Sequence, residues 1–513
     1  MKRFSFLLII LSLVSVRIKA QTNILDELED MLGDDESFDS AVISIDREFY
    51  AFIDSINNDF ARFLEKEWKS VPLGTVVKKK RDDEIKPIIR DEKEDKDKKD
   101  LIIRGTVIPN IKDEIPQPNP IVPIKENKLT ADYSTFSYYD TPMKVRWGEA
   151  SQFKFANLSN KEIANAYRKL STPAYRNLLH DCLALRKEYH LCDWAYYKLL
   201  ETMAAAACGK GTNEAVFLQG VLYAQSGYTM RYAIDGKKKL HLLCRMTGGV
   251  YDCSPYTIDG KIFYLLDGTK PATLNYCPQG LKGEQAMSLE INEVPLLAKN
   301  LSDERTILSR NRTIEVKSRI NKNLINFFND YPTSWKDNNF MTRWAFYANT
   351  PVSDEIRNNV YPQLREKLKN LPPVTAVNLL LNWVQPLPEA DANKPENRNI
   401  SFPYGYDNAI WGKDRAFFAE ETMFYPYSDC EDHAILFSHL VRDLLGLDVI
   451  LVYYPQHLGA AVCFNTEVAG DAIEVNGRKF VVADPTSRGR VGTTMYQFRD
   501  TKRKDIEVIL LNR

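Results

Sequence analysis

Apolar positions along this chain are spaced in distinct ways, and each spacing predicts a different element. Phe4 to Val16 is an unbroken apolar run behind a basic start, Met1-Lys2-Arg3, and is too short to span a bilayer. With Ala20 before Gln21 it reads as a signal peptide over 1–20. Phe49, Phe52, Ile56, Phe60, Phe63 and Leu64 recur at helical spacing and predict one amphipathic helix in a segment spanning 21–75. Such a helix needs a partner, either another chain or the main body. From 76 to 130 the apolar positions thin out between KKKRDDEIK, RDEKEDKDKKD and the prolines of 109–123. That composition buries too little to fold and predicts a disordered, solvated linker. The compact protein is expected to begin near Tyr133.

Beyond that point the pattern occurs twice. DHAILFSHLVRDLLGLDVILVYY aligns without a gap on NEAVFLQGVLYAQSGYTMRYAID at an offset of 219 (446 − 227, from the paired glycines). Each stretch predicts a helix ended by a left-handed glycine, Gly446 and Gly227, then a strand. Downstream, IEVNGRKFVVADPT (473–486) matches YTIDGKIFYLLDGT (256–269), with an NG or DG turn between two β-type runs. Upstream, VNLLLNWVQ can be set against YYKLLETMA as a preceding helix. The reading is an α+β chain with two related domains, 131–290 and 291–513, each placing helices against an antiparallel sheet.

Composition narrows the function classes. The 68 basic and 69 acidic side chains nearly cancel, so no global field draws in nucleic acid or anionic lipid. No later segment is long and apolar enough for a membrane-embedded protein. An exported chain, periplasmic or extracellular and soluble once the leader is removed, is the expectation. Eight cysteines show neither CxxC nor zinc-finger spacing.

In the second copy Cys430 stands at a helix start, His457 on a following strand and Asp484 on a later one, at equal intervals (457 − 430 = 27; 484 − 457 = 27). A helix N-terminus favours a thiolate, an imidazole can take and return its proton, and a carboxylate can orient the imidazole. The first copy departs where it matters. Its ungapped counterparts are Gly211 and Lys238, with His241 close by, and only Asp267 persists.

These residues carry a resemblance. SDCEDHA on a helix, PQHLGA on a strand and VADPT on a later strand look like the transglutaminase-like superfamily, a branch of the papain-like cysteine enzymes, over roughly 375–500. The resemblance implies Cys430 as nucleophile, His457 as base and acid, and Asp484 as the orienting carboxylate, with no metal or organic cofactor. It implies hydrolysis of a peptide or amide, or acyl transfer to an amine, through a thioacyl intermediate. The first copy would then be degenerate and inert. Asp432 is read as anchoring the helix start.

Other readings stay open at this stage. Cys430 could be half of a disulfide, or a metal ligand with Asp429, Asp432 and His433, although closed zinc sites usually take more thiolate or imidazole. His433 and His439 read as helix-packing residues, and His180, His190 and His241 as structural ones. Cys244 and Cys463 read as small buried hydrophobes, and pairings among Cys182, Cys192 and Cys208, or Cys244, Cys253 and Cys277, are undecided. An aromatic insertion at 386–424 precedes the thiol. Most of its rings are expected in the core, with Trp411 and Tyr427 as candidates for contact with a protein or peptide substrate. A different class is also open: a non-catalytic scaffold whose tandem domains and N-terminal helix hold partners or self-associate.

Overall fold

The computed structural model describes residues 36–77, 100–109 and 132–512, less 173–174, 282, 337–338, 388–393, 398, 400–401 and 406–414. The expected signal peptide and most of the expected linker lie outside the described residues. An N-terminal arm contains α1 (Glu36–Glu65), β1 (Lys69–Pro72), β2 (Ile102–Ile103), β3 (Thr106–Ile108) and the hairpin β4 (Ser134–Tyr138), β5 (Thr141–Val145). The first half comprises α2 (Asn160–Leu170), α3 (Arg176–Glu188), α4 (Asp193–Cys208) and α5 (Asn213–Gln225), then β6 (Met230–Asp235), β7 (Leu240–Arg245), β8 (Gly249–Val250), β9 (Ser254–Ile258), β10 (Lys261–Leu265) and β11 (Thr273–Tyr276).

The second half opens with β12 (Arg305–Leu308), β13 (Glu315–Ser318), α6 (Lys322–Asn329), β14 (Ser334–Trp335), α7 (Arg343–Asn349), α8 (Tyr361–Leu368), α9 (Pro373–Val384) and α10 (Ala419–Phe424). It continues with α11 (Cys430–Leu445), β15 (Asp448–Tyr454), β16 (His457–Cys463), β17 (Ala472–Val475), β18 (Arg478–Val482) and β19 (Glu507–Leu510). The chain is α+β, as the pattern predicts.

The two large sheets run β1-β11-β6-β7-β10-β9 and β2-β17-β18-β16-β15-β19-β3. Without the strands of the N-terminal arm, and with the second sheet read from its other end, β11-β6-β7-β10-β9 stands against β19-β15-β16-β18-β17. The chain visits the five positions in the same order both times, each time after a helix that packs on the central hairpin. β15 is buried on both faces, with partners that alternate: Ile450, Val452 and Tyr454 enter the sheet's inner core, while Val449 and Leu451 join the clusters that the helices share. Gly446 caps α11 at φ 65°, in the left-handed region only glycine enters cheaply. α5 ends differently, at Ser226, with Gly227 following at φ 95°.

The N-terminal arm corrects two expectations. α1 lies on the main body: Ile53, Asn57, Phe60, Ala61 and Leu64 are buried, and Phe60 meets Tyr167 edge-on at 4.9 Å. Phe52, expected on the apolar stripe, is 55% exposed instead. Burying each large side chain of this stripe contributes roughly 1.5–3 kcal/mol, which is what holds the helix down. The compact protein therefore begins before Tyr133.

Residues 101–108, expected within the solvated linker, are ordered strands. The charge-rich composition on either side hides an apolar island, LIIRGTVI, whose Ile103 and Ile108 are buried. β2 pairs in parallel with β17 at one edge of the second sheet, and β3 in parallel with β19 at the other. Only Arg104 and Gly105 separate them, so the sheet is rolled until its two edges meet at one strap. A Cβ at Gly105 would stand 2.8 Å from the Ile506 carbonyl oxygen, so only glycine lets the strap lie this close.

Candidate functional site

The start of α11 is fixed by Asp432. One of its oxygens accepts the Asp429 N–H at 3.0 Å, and the other accepts the Phe417 N–H at 2.7 Å. The anchoring role expected for Asp432 is what the geometry provides. This places Cys430 in the first turn, 7% exposed, with its thiol donating to Glu431 Oε2 at 3.2 Å. The backbone N–H of Leu458, the residue after His457, is directed at the sulfur. Burial pushes the thiol well above its ordinary range, and the Glu431 and Asp429 charges push it further, against the Leu458 N–H. The resting side chain is a thiol, not the thiolate that a helix N-terminus alone would favour.

His457 opens β16 opposite Tyr454 and is buried. Its Nε2 lies 2.7 Å from Asp484 Oδ2. Asp484 Oδ1 accepts the N–H groups of Thr486 at 2.9 Å and Ser487 at 3.2 Å. Burial raises the Asp484 carboxyl, but the His457 ring and these two N–H groups more than offset it, so it lies below the usual carboxylate range. An ionised Asp484 can only accept, which assigns a proton to Nε2; in the neutral imidazole Nδ1 is then the atom that carries the lone pair. Nδ1 is buried and has no hydrogen-bond partner among the described residues.

His433 is excluded as a ligand by its own bonds. Its Nδ1 donates to the Val384 carbonyl at 2.9 Å, and its Nε2 accepts from Ser428 Oγ at 3.0 Å. Asp429, Cys430 and Glu431 offer donor atoms within 4.8 Å of one another, one sulfur and two carboxylates, and could hold a cation. All eight cysteines are free, so neither a Cys430 disulfide nor the other pairings left open form here. Tyr427 is half-buried and packs its ring on Gly405, where a short bridge from Tyr404 to Ser428 stitches the insertion to the helix start. Phe402, Phe417 and Phe418 are core, as expected for most of these rings. Trp411 lies outside the described residues.

The first half holds a related but different arrangement. His241 Nδ1 lies 2.7 Å from Asp267 Oδ2, and its Nε2 lies 3.4 Å from Asp235 Oδ2. The ungapped register, which sets Lys238 against His457 and Gly211 against Cys430, fails locally. Four residues join β6 to β7 and two join β15 to β16, so the strands start out of step. His457 closes the last pair of its hairpin, whereas His241 stands one pair further in, opposite Ala233. At the helix start Asn213 takes the place of the thiol, and its Oδ1 accepts the Leu240 N–H at 2.9 Å.

Two features escape the sequence pattern. Glu431 is legible as part of the acidic motif, but its contact with the sulfur is not. Phe498, which stacks on His457 at 4.9 Å and 8°, is forty-one residues away (498 − 457) with no local signal. Comparison with protein-family models, curated proteins and solved structures finds no match.

Proposed function

We propose that this is an exported cysteine enzyme of transglutaminase-like type, with a degenerate first domain at 131–290 and an active second domain at 291–513, acting on a peptide or amide bond. The observation that carries the reading is the state of His457. Its Nε2–H is held by an ionised Asp484 while its Nδ1 is left as an unpartnered base, and the next residue's N–H reaches the thiol of Cys430. In this scheme the thiol, which donates to Glu431 Oε2 at rest, turns to Nδ1; its proton passes there as sulfur bonds to the carbonyl carbon, and the C=O electron pair moves to oxygen. Collapse of that intermediate re-forms C=O and breaks the C–N bond, with the Nδ1 proton going to the leaving amine. Water or an amine, deprotonated by Nδ1, then attacks the thioester; the C–S bond breaks and the Nδ1 proton returns to Sγ, restoring the thiol of Cys430.

Because the resting thiol is protonated, His457 must remove the proton during attack rather than beforehand. The test is the iodoacetamide labelling rate of Cys430 at pH 6.5, followed by mass spectrometry. Wild type should label at least about tenfold faster than His457→Ala, a floor set below the roughly hundredfold that a positioned general base contributes at the least. Equal rates would reject the catalytic pair and leave a non-catalytic binding protein as the better reading.

A further inference from the structure

We propose that Phe498 is a positioning residue for His457, and that Asp471 holds Phe498 in place; the inference rests on the Cys–His reading above. A single hydrogen bond to Asp484 fixes one point of the imidazole but leaves its plane free to turn about that bond. The plane decides where Nδ1 points. Phe498 removes that freedom: its ring lies 4.9 Å from the imidazole centroid and within 8° of parallel, so it covers one face. Tyr454 meets both rings, 5.0 Å and 17° from Phe498 and 6.3 Å and 22° from the imidazole. A bond to Asp484 and a flat wall together define the direction of the lone pair.

The wall is itself secured. Phe498 ends the short 3₁₀ turn Tyr496–Phe498, preceded by Met495, which is 1% exposed in the inner core of the second sheet. The buried carboxylate of Asp471 grips this turn from both ends. Its Oδ2 accepts the Thr494 N–H at 3.0 Å and an Arg499 guanidinium N–H at 2.5 Å. Its Oδ1 accepts the N–H of Leu101, just before β2, at 2.9 Å. The aromatic wall is thus tied to the sheet and to the strap, not merely packed against the histidine.

The experiment measures Cys430 labelling by iodoacetamide from pH 5.5 to 8.5 in the full chain, with thermal melting by circular dichroism as the fold control. The variants are Phe498→Leu, Phe498→Tyr, Arg499→Gln, His457→Ala and the double variant Phe498→Leu with His457→Ala. Phe498→Leu should slow labelling at pH 6.5 about fivefold to tenfold, within the range that a misplaced catalytic group loses. Phe498→Tyr, which keeps the wall, should stay within about twofold of wild type. Arg499→Gln, which loosens the turn without touching the core, should slow labelling about twofold to threefold and still reports if Phe498→Leu does not fold. On the His457→Ala background Phe498→Leu should have no further effect. An unchanged rate in Phe498→Leu alongside a slowed His457→Ala overturns the positioning role and keeps the catalytic pair. Equal slowing by Phe498→Leu on both backgrounds overturns it too, because the effect then bypasses the histidine. An unchanged His457→Ala removes the catalytic pair itself and this inference with it.

Discussion

His433 sits between a carbonyl, which accepts from Nδ1, and a hydroxyl, which donates to Nε2 of the neutral ring. Burial holds its pKa down to about 4, against the opposing bonds to Val384 and Ser428. The unfolded chain takes up a proton at about 6.5 and the folded one does not until about 4. This residue's contribution is therefore fully present above pH 6.5 and is lost as pH falls through the folded value. Over the whole window the loss is about 3 kcal/mol, from the 2.5-unit difference between 6.5 and about 4. His433→Ala should cost about 2–3 kcal/mol at pH 7.5, by leaving two buried partners unsatisfied, and should flatten stability between pH 4 and 6.5. Urea midpoints across that range check both; an unflattened profile would assign the acid sensitivity elsewhere, with His439, lowered to about 3, the next residue to vary.

The element that sequence composition conceals most completely is the strap, β2 and β3. Gly105→Ala places a methyl 2.8 Å from the Ile506 carbonyl oxygen and 3.1 Å from Val508 Cγ2. It should destabilise the chain by about 1–3 kcal/mol, read as a lowered urea midpoint. An unchanged midpoint would mean that the strap is not part of the cooperative unit. The strap was hidden because a window average over its charged flanks cancels eight apolar-rich residues, and because its partners lie at the far end of the chain. α11, β15 and β16 were legible for the opposite reason: each has its own period, cap or turn. Cys430 and His457 could be named for that reason, at a helix start and on a strand that local pattern predicts, whereas Asp484, expected on a strand, stands just past the end of β18 at Val482. Which ring nitrogen faces Asp484, and what lies over the ring, depend on packing between distant segments and left no trace in spacing. The register of the first half failed for two local reasons, a helix of 13 residues against 16 and the two extra residues of its hairpin loop.

At the scale of the whole molecule, two sheets of one strand order share a chain, and they differ in whether the helix-start side chain can react. Asn213 cannot serve as a thiol, and both nitrogens of His241 face carboxylates, Asp267 and Asp235. The proposal that only the second half is chemical predicts that His241→Ala leaves the Cys430 labelling rate within about twofold of wild type, against the tenfold expected of His457→Ala. A comparable loss would mean that the first half takes part in the chemistry. Among the described residues no helix is long and apolar enough to cross a membrane.

The strap also imposes an order in time. Residues 101–108 are synthesised long before their partners β17 and β19, and the Leu101–Asp471 bond spans 370 residues. Contacts that close so long a loop form late, because their entropy cost precedes any gain. Asp471 takes its bond from the strap with the same carboxylate that grips the turn bearing Phe498. If Phe498 positions the imidazole as proposed, that orientation is complete only when the strap and the segment of β17 to β19 have met. On the proposed reading, a half-folded molecule carries the thiol but not the aligned base, so its reactivity waits on the completion of folding.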